Sequence, residues 1–167
     1  MEIRNSTVLL LGGSGLVGMA VAHRLLAYGP RRVVITGLTR DEAEPAAEEL
    51  RAQAGGIAID AAWGNIFAPA DLATRSRDEI LADATARRRL VEDYVAPYGQ
   101  SPLDENLLFT WLVDYRPDLV VDCVNTATAL AYQDGHASAS GLPHCAQNFA
   151  EAALSCPQVV QVATRRA

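Results

Sequence analysis

This chain of 167 residues is the size of one domain and long enough to bury a substantial core. Half of its residues are hydrophobic, so a folded globule is expected rather than a disordered chain. The formal charge of -6, with basic residues that are all arginine and mostly set among acids, argues against a general binder of nucleic-acid backbones.

The first predicted element is a buried strand, Val8-Leu9-Leu10-Leu11, which runs directly into Gly12-Gly13-Ser14-Gly15-Leu16-Val17-Gly18 and then into an amphipathic helix. Gly12 allows a sharp turn, Gly15 lets backbone amides approach a diphosphate, and Gly18 lets the helix pack closely on the sheet. The anion would sit on the helix N-terminus, where unpaired N–H groups and the macrodipole offset its charge without a lysine. Val17, Val21 and Leu25 form the expected sheet-facing stripe, and Gly29-Pro30 ends the helix.

Val33-Val34-Ile35-Thr36 lacks polar alternation and reads as a strand of a parallel sheet, buried on both faces. A helix then carries Ala43, Ala47, Leu50 and Ala54 on one stripe, with Pro45 placed in its first turn and Gly55-Gly56 as its stop. Ile57-Ala58-Ile59 opens a third strand that ends near Trp63-Gly64-Asn65.

A helical insertion at about 68–117 follows, with one helix around Asp78 to Val95, a loop at Pro97-Tyr98-Gly99, and a second helix opened by Ser101-Pro102-Leu103-Asp104. Arg87-Arg88-Arg89 reads as a solvated helix face, and Leu107, Leu108, Trp111, Leu112 and Tyr115 as an apolar stripe bound for the core. Leu119 to Val124 is a fourth strand, which delivers Asn125-Thr126-Ala127-Thr128 to its carboxyl end. Asp134 to Gly141 reads as a loop, Pro143 to Leu154 as a helix, and Gln158 to Ala163 as a fifth strand. The alternation predicts a single α/β domain over 1–167, a Rossmann-like doubly wound parallel sheet of about five strands in three layers, with a ligand crevice at the strands' carboxyl ends.

Cys123, Cys145 and Cys156 show no paired spacing, which favours free thiols in a reducing compartment. His136, His144, Cys145 and Cys156 lack a ligand spacing, so no metal is expected. Met1 to Asn5 leads at once into the first strand, and no apolar run approaches membrane-spanning length. The expectation is a soluble cytoplasmic protein that binds neither nucleic acid nor membrane.

Gly12, Gly15 and Gly18 in the GxxGxxG spacing resemble the extended short-chain dehydrogenase/reductase family, which includes the NAD-dependent epimerases and dehydratases. Val33 through Gly56 is similar to that family's second strand and helix, Gly64-Asn65-Ile66 to its adenine-side acidic dipeptide, and Val124-Asn125-Thr126-Ala127 to its Asn-Ala-Gly stretch. Asn65 stands where aspartate is usual, and Thr126-Ala127-Thr128 lacks the glycine. The resemblance implies a dinucleotide cofactor held by Gly12, Gly13, Ser14, Gly15, Leu16, Val17, Gly18, Thr39, Arg40, Asn65, Ile66, Asn125, Thr126 and Ala127. An acid at the end of the second strand would bind both ribose hydroxyls, whereas an arginine there would pair with a 2′-phosphate. That position falls near Gly37, with Arg40 just beyond, which favours NADP; Asp41 or Glu42 serving the ribose would leave NAD open.

The family's chemistry needs a tyrosine followed four residues later by lysine, because a phenol of pKa about 10 is a poor base without a cation beside it. The residues four beyond Tyr28, Tyr94, Tyr98, Tyr115 and Tyr132 are Arg32, Tyr98, Pro102, Leu119 and His136. Only Tyr132 with His136 has a titratable base, and it precedes the family's position for the pair. Ser14 belongs to the turn, Cys123 to a strand, and Thr164 lies near the family's catalytic hydroxyl with little sequence after it. No catalytic residue is assigned. The expectation is the amino-terminal nucleotide-binding part of a longer oxidoreductase, with a small-molecule substrate only where further sequence completes it. A non-catalytic nucleotide sensor and an NADP-binding region similar to the saccharopine dehydrogenase family are the alternatives. An exposed parallel edge at the fifth strand would favour self-association.

Overall fold

A run such as Val8-Leu9-Leu10-Leu11, with no polar alternation, forms a stable strand only where both faces are covered. In the computed structural model, which describes residues 3–95, 105–124 and 162–164, it is strand β1 (Thr7–Leu11), and all of it is buried. These residues, Val124 excepted, fall within one compact unit, Met1–Cys123 with Val162–Ala167.

Helix α1 (Leu16–Leu26), strand β2 (Arg32–Gly37), helix α2 (Arg40–Arg51) and strand β3 (Ala58–Trp63) follow in the expected order. The insertion supplies α3 (Arg77–Ala82), α4 (Ala84–Val95) and α5 (Leu107–Tyr115), and the sheet is completed by β4 (Leu119–Asp122) and β5 (Val162–Thr164). The strand order is β3-β2-β1-β4-β5. β1 pairs in parallel with both β2 and β4, and β2 in parallel with β3. The direction of strand addition thus reverses at β1, so the crevice lies between the carboxyl ends of β1 and β4.

Strand alternation sorts the core into two faces. Val8 and Leu10 of β1 and Val33 and Ile35 of β2 join Ala22 and Leu25 of α1 and Ala46, Ala47 and Leu50 of α2 in one cluster. Each fully buried Leu, Ile or Val contributes about 1.5–3 kcal/mol. Val34 and Thr36 point the other way and are equally enclosed. On that second face Arg32 ion-pairs with Asp60 and lays its guanidinium 5.1 Å from the centre of the Tyr115 ring at the end of α5. Helices on both faces give the three-layer α/β, Rossmann-like arrangement.

Several elements differ from the sequence reading. Of the expected α1 stripe, Leu25 is buried with Ala22 in the core and Val21 packs half-buried against it, whereas Val17 is exposed. Pro45 is the sixth residue of α2 and not in its first turn; it is exposed, so water can reach the Asp41 carbonyl that it leaves without an N–H partner. The helix expected around Asp78 to Val95 is two helices. Asp83 adopts extended backbone and its carboxylate accepts from the Thr85 and Ala86 amides, capping α4 in place of continuing α3.

Ser101 to Asp104 lies outside the described residues, and the helix that follows is capped by Asn106, whose side chain accepts from the Leu108 amide. Leu107 and Trp111 are core, as expected, while Leu112 is exposed. Arg87, Arg88 and Arg89 do lie on an exposed face, where Arg89 pairs with Asp71 and Glu105. β5 pairs with β4 antiparallel, Val121 opposite Val162, so the sheet is parallel through four strands and its last strand is reversed. An antiparallel edge strand on a parallel sheet needs no crossover in the same sense. The elements expected between 125 and 161 lie outside the described residues. No helix among the described residues is long and apolar enough to cross a membrane.

Candidate functional site

The turn after β1 is built by hydrogen bonds to its own neighbours. Gly12 takes a φ of +66°, open to glycine at little cost, and its amide donates to the Thr36 hydroxyl at 3.1 Å. Thr36 in turn donates to the Leu10 carbonyl at 3.2 Å. The amides of Gly13, Ser14 and Gly15 donate to Leu10, Thr36 and Gly12 carbonyls. These four amides therefore hold the turn.

The free donors lie one step further along the chain. The first helical bond of α1 runs from the Met19 amide to the Gly15 carbonyl at 2.8 Å. The amides of Leu16, Val17 and Gly18 precede it and meet no acceptor among the described residues. Gly15 is the N-cap and has no side chain to cap with, and the first turn of α1 contains no acid. Leu16 is 91% exposed and Val17 47%, so apolar side chains border those donors at the crevice. Gly18 packs against the turn itself rather than the sheet: a Cβ there would lie 2.2 Å from the Gly12 carbonyl oxygen.

At the end of β2, a Cβ on Gly37 would come within 2.8 Å of the Ser14 hydroxyl oxygen and 3.2 Å of the Ala43 amide. A side chain at that position would have to displace the Ser14 hydroxyl and press on the start of α2. Glu42 is already engaged, accepting from the Leu38 amide at 2.9 Å and the Thr39 amide at 3.4 Å to close the start of α2 after its N-cap Thr39. Arg40 carries its guanidinium over the Trp63 ring at 5.5 Å. It also borders a shallow cleft of about 340 Å³ whose other walls are Asp41, Glu44, Pro45 and Glu48. Those carboxylates repel an anion, so a phosphate would meet Arg40 on its crevice side and not in this cleft.

At the end of β3, Gly64 takes a φ of +139° and its amide donates to the Gly37 carbonyl, tying the two strand ends together. The Asn65 side-chain oxygen accepts from the Phe67 amide at 3.0 Å, and Ile66 beside it is half-buried. Asn65 therefore shapes the loop with its oxygen. β4 enters the same crevice, the Cys123 amide donating to the Leu11 carbonyl. Asn125, Thr126 and Ala127 lie outside the described residues.

No described side chain is tuned for proton transfer. Burial, with Asp60 adding to it, pushes the Tyr115 phenol above its ordinary value despite the nearby Arg32. Burial beside Asp122 raises the Cys123 thiol as well, which disfavours the nucleophilic thiolate. Tyr28 is exposed under Arg24. The side chains of Tyr94 and Thr164, with Tyr98, Tyr132, His136, His144, Cys145 and Cys156, lie outside the description. Among the described residues no group of three His, Cys, Asp or Glu could hold a metal. Sequence reading missed Thr36 and Trp63. The one hydroxyl in an otherwise apolar β2 run was the available signal for Thr36; Trp63 carried none.

No protein-family model matches this chain, and a search of curated proteins finds no match. Solved structures do resemble parts of it. A short-chain type dehydrogenase/reductase from Mycobacterium ulcerans matches at 32% identity and a TM-score of 0.37, over 40% of this chain and 24% of that one. A candidate betaketoacyl-ACP reductase matches at 27% identity and 0.33, over 40% and 25%. A candidate short chain dehydrogenase from Pseudomonas syringae matches at 22% identity and 0.34, over 39% and 26%. The match spans about a quarter of the length of each of these proteins.

Proposed function

We propose that this chain is the nucleotide-binding region of an NAD(P)-dependent oxidoreductase of the short-chain dehydrogenase/reductase type, with the extended, epimerase-like glycine spacing. One observation carries the reading. Among the described residues the Leu16, Val17 and Gly18 amides meet no acceptor at the strand-order reversal, on a helix end with no acid in its first turn. A dinucleotide's diphosphate would lie on those three donors. Its ribose and adenine would run past Gly37 and Arg40 toward Asn65 and Ile66.

NADP is favoured over NAD by the same geometry. Gly37 supplies no acid at the end of β2 to bind both ribose hydroxyls, and Glu42 is engaged with its own helix start. Arg40 makes no ion pair with a carboxylate among the described residues and is open to a 2′-phosphate. When bound, the nicotinamide would supply hydride exchange, while this chain's residues bind and orient it. No proton-transfer role is assigned to any of them, since a tyrosine with lysine four residues on is absent from the sequence. A second reading is a nucleotide-sensing protein that turns binding into a signal for a partner.

Titration of the purified chain with NADPH and NADH, followed by fluorescence and calorimetry, tests both readings. Micromolar or weaker binding that prefers NADPH is expected, and Gly15→Val should abolish it. A Cβ at 15 would already stand 3.3 Å from the Gly12 oxygen, and its branches would fill the space over the helix donors. A flat wild-type titration refutes the nucleotide-binding assignment. Tight binding, with a partner recovered only when nucleotide is present, selects the sensor.

A further inference from the structure

We infer that Trp63 is a positioning residue for Arg40, fixing the guanidinium where it reads the 2′-phosphate of a phosphorylated dinucleotide; this rests on the nucleotide-binding reading above. Trp63 is the last residue of β3 and lies directly opposite Gly37, the last residue of β2. Alternation along β3 places it on the same face as Ile59 and Ala61, the side covered by α2. Ser14 and the start of α2 close on Gly37, a Cβ there standing 2.8 Å from the Ser14 hydroxyl oxygen and 3.2 Å from the Ala43 amide nitrogen. Arg40, the first residue of α2, sets its guanidinium 5.5 Å from the Trp63 ring centre.

The mode of contact is what matters chemically. Asp41, Glu44 and Glu48 line the cleft that Arg40 borders, and an arginine beside three carboxylates would ordinarily turn its N–H edge toward one of them. That would close the edge to any other anion. Arg40 instead sets its guanidinium over the indole of Trp63 and makes no ion pair with a carboxylate among the described residues, so its N–H donors are not spent on those acids. Trp63 therefore holds the cation while keeping it available for a second, bidentate partner. A phosphate monoester beside a ribose is the anion that the strand-end geometry brings to that edge. Neither residue alone provides this: lysine has no face to stack, and a leucine at 63 has no π system to hold one.

The test is a double-mutant cycle read on the ratio of NADP to NAD dissociation constants. Arg40→Ala should lower the preference for NADP. Trp63→Leu should lower it by about two- to fivefold, Trp63→Phe should restore part of that loss, and Trp63→Leu should add nothing in the Arg40→Ala background. Unchanged preference in Trp63→Leu, with loss in Arg40→Ala, overturns the positioning role and leaves the dinucleotide reading intact. An equal loss of NADP and NAD affinity overturns it too, because it marks Trp63 as a general support of the site. Absence of binding to either cofactor in the wild type removes the nucleotide reading and this inference with it. Should Trp63→Leu not fold, a Trp111→Phe protein reports on the indole in place. Its Trp63 emission should respond to 2′,5′-ADP and not to 5′-AMP, and lose that response with Arg40→Ala; equal responses to both nucleotides overturn the inference.

Discussion

Gly18 rests against the carbonyl oxygen of Gly12 with no room for a methyl group: a Cβ there would stand 2.2 Å from that oxygen and 2.6 Å from the Gly13 Cα. The start of α1 is thereby pressed onto the turn, and the Leu16 and Val17 amides are held at the crevice. Gly18→Ala should push the helix away at a cost of about 1–3 kcal/mol, typical of overpacking. Gly15→Ala meets the same oxygen at 3.3 Å and should cost less than about 1 kcal/mol. Urea midpoints of the two variants decide the matter. Equal losses would show that close approach is not what Gly18 serves.

Thr36 links the turn to the sheet through a hydroxyl that accepts from Gly12 and donates to Leu10, at a side chain only 2% exposed. Thr36→Val keeps shape and burial but strands the Gly12 amide, at a cost of about 1–3 kcal/mol. Thr36→Ser retains both bonds and should recover most of that loss. Thermal melting of the pair is the check, and NADPH affinity should fall with stability only in the valine variant. A valine protein as stable as wild type would show that the amide finds another acceptor.

The glycine turn was legible in the sequence because a buried strand, three spaced glycines and a helical stripe all point to one local geometry. On α1 the stripe holds at Val21 and Leu25 and fails at Val17. Val17 is apolar, and periodicity counts hydrophobicity without registering that the first turn of the helix is open. Asp83 fits the polar side of a continuous helix as well as it fits a cap, so only its backbone reveals the break between α3 and α4. Composition carries no strand direction, hence β5 was expected parallel and is antiparallel. The Arg40 and Trp63 contact joins two elements brought together by sheet register, which no local pattern encodes.

Two exposed carboxylates in the insertion should give the protein an acid-sensitive region. The Ser76 amide and hydroxyl hold Glu79 below the usual carboxylate range, while the Ala86 and Thr85 amides and then Arg75 do the same for Asp83. A carboxyl whose pKa is lowered by folding stabilises the fold above its unfolded pKa, and the contribution is lost as pH falls through its folded value. Stability should therefore decline below the ordinary carboxylate range. A Glu79→Ala/Asp83→Ala protein should melt lower at neutral pH yet show a shallower acid decline. The difference should shrink in high salt, since both groups face water. Parallel melting curves across pH would show that these caps do not couple to folding.

Asp41, Glu44 and Glu48 set an opposing field beside Arg40, and that field would give the proposed NADP preference a measurable electrostatic component. Each exposed charge acts on a nearby anion with about 0.2–1 kcal/mol, or roughly 1.4- to fivefold in affinity. Asp41→Asn and Glu44→Gln should each tighten NADP within that range at low salt. NAD, which lacks the 2′-phosphate and keeps its diphosphate on α1, should change less. Raising the ionic strength to about 0.5 M contracts the screening length and should erase most of the gain. Calorimetric titrations of the two variants at both salt concentrations separate this from a packing effect, which would survive salt. Equal gains for NADP and NAD would place the responsive phosphate at the helix α1 donors and not beside Arg40.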